Sequence, residues 1–234
     1  KGVYCGELKV VADGICRTVP LEVEVFGFEL PDRMSLRAPF GLAPKRLYAY
    51  HKAKTAADRD RIREMYIKFL SEHRITPFYW GREIFPKARL KNSNDPEKVS
   101  VEIDFAAWDR EMEMVVDKYH GNVVKLYPEG LGGGNQDNRH PAQICGVKRG
   151  DPRYERIMKE YLEKFVLHLR EKGWLEYAFV YWFDEPQGQD YDFVSQGMAT
   201  LKKYAPELRR MITNICIGEL MDGVDMWCPL VQHL

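Results

Sequence analysis

The chain has 234 residues, with 35 basic and 35 acidic side chains, a formal charge of zero and a pI near 7.2. That balance lacks the cationic footprint of a nucleic-acid or anionic-membrane binder, and it favours a small or neutral ligand. The length allows one large domain, or one domain and part of another.

Glu7 to Leu30 reads as a β-hairpin. Leu8-Lys9-Val10-Val11 and Val19-Pro20-Leu21-Glu22-Val23-Glu24-Val25 flank the turn Ala12-Asp13-Gly14. Leu21, Val23 and Val25 alternate with Glu22 and Glu24, the period of a half-exposed antiparallel strand, so residues 1–33 are assigned to the end of an antiparallel β-sandwich and its linker. Pro31-Asp32-Arg33 then punctuates the chain.

From residue 34 onward, short apolar strands alternate with amphipathic helices. The strands are predicted at Leu36 to Leu42, Ile75 to Trp80, Val123 to Tyr127, Tyr177 to Phe183, Met211 to Ile215 and Val224 to Pro229. Helices are expected at Thr55 to Glu72, Asp104 to Tyr119, Pro152 to Lys172 and Tyr191 to Tyr204, each with apolar residues at helical spacing. Thr55 and Asp58 are spaced as a capping box. The segment Pro128 to Gly150, with Gly132-Gly133-Gly134, is read as an irregular loop, lid or turn; it lacks the Lys-Ser/Thr of a phosphate-binding loop.

Strict alternation of strand and helix implies parallel strands joined by right-handed crossovers. No GxGxxG follows the first strand, so an α/β (β/α)8 barrel over 34–234 is preferred to a doubly wound sheet. About six of its strands fall within the sequence, leaving the barrel incomplete, and the chain reads as part of a larger protein.

Five widely spaced cysteines, Cys5, Cys16, Cys145, Cys216 and Cys228, show no CxxC pattern, and the histidines His51, His73, His120 and His168 show no HExxH. Neither a metal site, a disulfide framework nor a cofactor is expected. Cys216 and Cys228 are read as small core residues. No apolar run is long enough to span a bilayer, so no membrane insertion is expected.

The stretch Tyr181-Trp182-Phe183-Asp184-Glu185-Pro186 is the most informative. A strand apolar over Tyr177 to Phe183 is buried on both faces, and its carboxyl end is where α/β folds place their chemistry. Asp184 and Glu185 are therefore the catalytic candidates. Strand-end reasoning adds Trp80, Tyr127, Trp182, Asn214 and Trp227 as substrate contacts, with His140 from the loop; Arg82 and Glu83 read as a surface salt bridge. Aromatic faces, hydrogen-bonding groups and carboxylates together suit a carbohydrate pocket.

Glycoside hydrolysis needs an acid to protonate the leaving oxygen and a second group to capture or stabilise the oxocarbenium-like centre. Neighbours in a regular strand point to opposite faces, so Asp184 and Glu185 can serve one substrate only where the chain twists, as Pro186 would favour. An adjacent pair suits substrate assistance, with Asp184 accepting the acetamido N–H and Glu185 as acid and base. Two rivals stand beside it: a two-carboxylate retaining enzyme with its nucleophile on a later strand, and a carbohydrate-binding barrel without catalysis. The plainest alternative is a solvated acidic turn.

The order of Tyr4-Cys5-Gly6, Val19 to Pro31, Phe40-Gly41-Leu42 and Trp182-Phe183-Asp184-Glu185-Pro186 resembles glycoside hydrolase family 123. The resemblance implies a β-sandwich joined to a (β/α)8 barrel, cleavage of terminal β-N-acetylgalactosamine from a glycan or glycoconjugate by substrate assistance, and a periplasmic or extracellular location. Only Asp184 and Glu185 match the family's motif directly.

Overall fold

The computed structural model describes residues 1–79 and 84–233. It divides into two units, Lys1–Met34 and Ser35–Leu234. The first is an antiparallel hairpin of β1 (Gly2–Ala12) and β2 (Ile15–Val25), which begins before the expected Glu7 and ends at Val25, short of the expected Leu30. Its two-residue turn, Asp13-Gly14, has φ of 50° and 78°, and the paired positive values match the right-handed twist of the strands.

The second unit is mixed α/β. Its strands β3 (Pro39–Leu42) and β4 (Thr76–Tyr79) form a parallel pair, followed by an antiparallel hairpin of β5 (Lys87–Lys91) and β6 (Ser100–Asp104). Strand β7 (Val124–Leu126) opens the central sheet, and β8 (Gly133–Asn135), β9 (Asn138–His140), β10 (Gln143–Ile144) and β11 (Val147–Lys148) follow it. The remaining strands are β12 (Ala178–Val180), β13 (Phe183–Asp184), β14 (Arg209–Ile212) and β15 (Met226–Trp227).

The central sheet is parallel throughout, in the order β15-β14-β12-β7. The β3–β4 pair meets it through Thr76 and Asn122: the Asn122 amide donates to the Thr76 hydroxyl at 3.1 Å, and the Asn122 side chain donates to the Leu36 carbonyl at 3.0 Å. Both residues are buried, so these bonds offset the cost of taking polar groups out of water. Among the described residues the parallel strands do not close on themselves.

The helices are α1 (Pro44–Tyr50), α2 (Ala56–Glu72), α3 (Ala106–Met112), α4 (Tyr154–Glu171) and α5 (Tyr191–Tyr204). The capping box forms as its spacing requires: the Thr55 hydroxyl accepts from the Asp58 amide at 3.0 Å, and the Asp58 carboxylate accepts from the Thr55 amide at 3.0 Å. These bonds hold the Asp58 carboxyl below the usual range. Eight residues of α4, from Tyr154 to Leu169, are buried at helical spacing.

The sheet sorts its two faces by the period of two. Val124, Leu126, Ala178, Val180 and Ile212 pack with residues of α3, α4 and α5 in the main core, whereas Val123, Phe179 and Tyr181 form a separate cluster with Met211 and Met226. The helices therefore cover one face, and the other carries a smaller apolar layer.

Several elements depart from the sequence expectation. The helix expected over Asp104 to Tyr119 stops at Met112 and continues as a π-helical turn, Glu113–Lys118, closed by the Tyr119 amide on the Met114 carbonyl at 3.1 Å. Tertiary bonds hold that wider turn: Asp117 accepts from the Trp174 indole at 3.2 Å, and the Tyr119 hydroxyl donates to Glu64 at 2.8 Å. The strand expected over Tyr177 to Phe183 is broken after Val180, because the chain leaves β7 and pairs anew at Phe183 and Asp184 with Gly134 and Asn135. The segment read as irregular is thus an ordered arm. All five cysteines are exposed; Cys216 and Cys228 follow the ends of β14 and β15 instead of lying in the core.

Candidate active site

Strand β12 carries the polypeptide to the site with Phe179 and Tyr181 on the face away from the helices. The Tyr181 amide still bonds to the Leu126 carbonyl, at 3.1 Å, which fixes the tyrosine at the carboxyl end of the sheet. Beyond it, Phe183 and Asp184 pair with the glycine arm. Close backbone approach requires glycine at 134, where a Cβ would lie 2.0 Å from the Asn138 carbonyl oxygen; one on Gly133 would lie 2.0 Å from the hydroxyl of the Tyr127 side chain.

Asp184 is half-buried, and two hydroxyls converge on its Oδ1. One is that of Tyr181 and the other is that of Thr213, at 2.9 Å. The two hydroxyls are themselves 3.1 Å apart. Among the described residues Oδ2 takes no hydrogen bond. Burial and the neighbouring carboxylate raise the pKa of Tyr181 well above that of a free tyrosine, so it stays a hydroxyl and a donor across the neutral range.

Thr213 holds the second acid as well, since its hydroxyl accepts the Glu185 amide at 3.0 Å. Glu185 has a φ of 45°, in the left-handed region that non-glycine residues rarely occupy. Such a conformation costs about 1–3 kcal/mol and persists where the surroundings enforce it. It also ends the strand alternation that would have sent adjacent acids to opposite faces. The Asn214 side chain donates to the Pro186 carbonyl at 2.9 Å and so fastens the next turn of chain.

Lys125, on β7, lies beside this group. Its Nζ is 5.0 Å from the ring centre of Tyr181, 5.2 Å from that of Phe78 and 5.7 Å from that of Tyr127. Burial lowers its pKa to about 8, against the opposing attraction of Asp184.

The structure brings together Asp184, Glu185 and Asn214 from the sequence-derived set, with Tyr127 against the arm. His140 is exposed on β9, paired in register with Gly133. Trp182 is different: it is 1% exposed, its ring packs over Gly197 and against Phe183 and Phe193, and it belongs to the helix-side core. Its face is not offered to a sugar. Trp227 pairs with Ile212 and packs on the same helix-side core. Trp80, with Gly81, Arg82 and Glu83, lies outside the described residues. The sequence reading passed over three residues of this site: Tyr181 and Thr213, which hydrogen-bond to Asp184, and Lys125, which acts on it electrostatically. A threonine directly before Asn214 and a tyrosine three residues before Asp184 were the signals for two of them; a single lysine between Val124 and Leu126, in a strand otherwise apolar, was the signal for the third.

Among the described residues no group of three His, Cys, Asp or Glu side chains is placed to hold a metal ion, and no helix is long and apolar enough to cross a membrane. A comparison with proteins of curated function finds no match. The model of the glycoside hydrolase 123 catalytic domain matches residues 100–217, half of the chain. That interval runs from β6 past β14 and contains Lys125, Tyr181, Asp184, Glu185, Thr213 and Asn214. The adjacent acids at the strand end, tied by one threonine, thus lie inside the matched catalytic domain, and the chain belongs to glycoside hydrolase family 123.

Proposed function

We propose that this protein removes terminal 2-acetamido-2-deoxy-β-hexosides, with N-acetylgalactosamine as the first candidate, by substrate-assisted retaining catalysis on a glycan. The observation that carries the reading is the asymmetry of Asp184. Two hydroxyls occupy Oδ1, which leaves Oδ2 to accept the N–H of a substrate acetamido group.

In the first step the acetamido oxygen attacks the anomeric carbon. The glycosidic bond breaks, its electron pair stays on the leaving oxygen, and Glu185 gives that oxygen a proton. Asp184 steadies the oxazolinium ion through its N–H. In the second step Glu185 takes a proton from water, the water oxygen bonds to the anomeric carbon, and the acetamido group is restored. Two inversions give net retention.

The scaffold of this reading is a (β/α)8 barrel, of which this chain supplies a part. Its support is that the parallel strands stand in chain order within β3–β4 and within β7-β12-β14-β15, and that α3, α4 and α5 gather on one face. Residues 1–33 fit the end of a preceding β-sandwich, as an antiparallel hairpin with an exposed apolar alternation. Tyr127, His140, Trp80 and Trp227 stand as proposed sugar contacts, whereas Asn214 is better assigned to holding the Pro186 turn.

The test is turnover by the full-length protein. An aryl 2-acetamido-2-deoxy-β-galactoside is hydrolysed, Glu185→Gln removes the activity, and a thiazoline mimic of the intermediate inhibits. Equal cleavage of the aryl β-galactoside that lacks the acetamido group would overturn substrate assistance in favour of a protein nucleophile. Binding of the sugar without turnover would point to a carbohydrate-binding barrel.

A further inference from the structure

A buried lysine is costly, and Lys125 sits where the proposed mechanism has not used it. We propose that Lys125 is a positioning residue for Asp184: its ammonium, surrounded by Phe78, Tyr127 and Tyr181, supplies the counter-charge that keeps the Asp184 carboxylate an anion once substrate fills the site. The proposal deepens the reading above and rests on it.

Substrate binding removes water from the carboxylate, and an anion in a dry pocket needs compensation. Tyr181 and Thr213 give Asp184 dipoles but no net charge. Lys125 gives a full positive charge from β7, the partner of the strand β12 that leads to Asp184. The aromatic faces at 5.0, 5.2 and 5.7 Å restrain that ammonium while leaving its charge in place, since cation–π attraction replaces part of its lost hydration.

Among the described residues, the groups that face Lys125 make Asp184 its electrostatic counterpart. Strand β4 presents Phe78 and Tyr127 follows β7, while β12 presents Phe179 in register and Tyr181 follows it two residues on. Strand β13 brings Asp184, followed by Glu185, which interacts electrostatically with Tyr181. On β14, Met211 shares the apolar layer, and Arg209, in register with Phe179, is bound at 2.7 Å to the Glu176 carbonyl. Of the two acids, it is the charge of Asp184 that acts on Lys125, drawing its pKa back up from the value burial alone would give.

A structural lysine and a positioning lysine behave differently. Methionine has a similar length and suits a cage of aromatic rings, so Lys125→Met removes a desolvation cost and keeps the packing. We expect the full-length Lys125→Met protein to melt no lower than wild type at neutral pH. Its kcat on the aryl 2-acetamido-2-deoxy-β-galactoside falls by about tenfold or more with a smaller change in KM, and Lys125→Arg, which keeps the charge, recovers part of the loss. Titration of the ¹³C-methylated lysines by NMR gives the independent readout: the Lys125 signal moves to lower pKa in Asp184→Asn. Wild-type turnover that Glu185→Gln abolishes but Lys125→Met leaves intact overturns the proposal and spares the hydrolase reading. Absence of wild-type turnover overturns that reading, and the titration then decides the electrostatic coupling of Lys125 to Asp184 by itself: an unmoved Lys125 signal in Asp184→Asn sinks it.

Discussion

The Thr213 hydroxyl accepts the Glu185 amide at 3.0 Å while it donates to the Asp184 carboxylate at 2.9 Å. One side chain just past the end of β14 thus fixes the conformations of both acids. The positive φ of Glu185 is held by a hydrogen bond from a different strand, so the twist depends on long-range structure and not on the local Glu185-Pro186 sequence alone.

Thr213→Val tests that relationship, because valine keeps the shape and removes the hydroxyl. The Glu185 amide loses its acceptor and Asp184 loses one of two donors, a stability cost of about 1–3 kcal/mol. On the proposed reaction kcat falls by roughly ten- to a hundredfold, since both acids lose their alignment. Thr213→Ser restores most of the activity. Steady-state kinetics and urea melts on the three proteins check this; a valine variant with unchanged kcat would remove Thr213 from the site.

The glycine arm carries the next expectation. A Cβ on Gly134 meets the Asn138 carbonyl at 2.0 Å, and the residue sits at φ of 135°. Gly134→Ala therefore forces β8 away from β9, and with it the pairing of β8 to Phe183 and Asp184. Activity drops sharply while far-UV circular dichroism changes little, because the helices do not depend on the arm. Protease sensitivity should rise at residues 133–140 and not across α4. An alanine variant as active as wild type would show that the arm does not set the position of Asp184.

What the sequence made legible follows the strength of each local signal. Helix α5 falls on its predicted limits and α4 lies within two residues of its own, because many apolar residues at one spacing outvote any single position. The order of strands was legible from the alternation with helices. Their ends were not: Val180, Tyr181, Trp182 and Phe183 are all buried, and burial alone cannot say that pairing passes from β7 to the arm between them. The hairpin of β5 and β6 went unread because Lys87, Arg89 and Lys91 mask a period of two carried by only Ala88 and Leu90. At the site, Asp184 and Glu185 announced themselves by ending an apolar run. Thr213 comes from just past β14 and Lys125 from β7, so their part depended on register that no local pattern encodes.

The capping box of α2 gives a prediction apart from the chemistry. Thr55→Ala removes the acceptor of the Asp58 amide and half of the reciprocal pair, and should cost about 1 kcal/mol. The loss appears as a lower urea midpoint with an unchanged slope, and kcat should stay at the wild-type value. A destabilisation several times larger would mean that Thr55 supports more than the first turn of the helix.

Lys125 predicts a pH dependence of stability whose sign is unusual for a lysine. Its folded pKa, about 8, lies below the 10.5 of a free side chain, with burial as the main cause. Below pH 8 both folded and unfolded chains bind the proton, and folding bears the full cost of burying the ammonium. Between 8 and 10.5 the folded protein releases the proton first, the unfolded chain binds more protons, and the contribution of this residue to stability rises with pH. Lys125→Met has no such group. The excess stability of the methionine variant over wild type should accordingly be greatest below pH 8 and shrink as pH approaches 10.5, by at most on the order of 3 kcal/mol. Urea midpoints of the two proteins, measured side by side across this interval, isolate the effect because every other titrating group is common to both. A difference that stays constant with pH would place the ammonium in water, outside the aromatic cage, and would remove the physical basis for pairing it with Asp184.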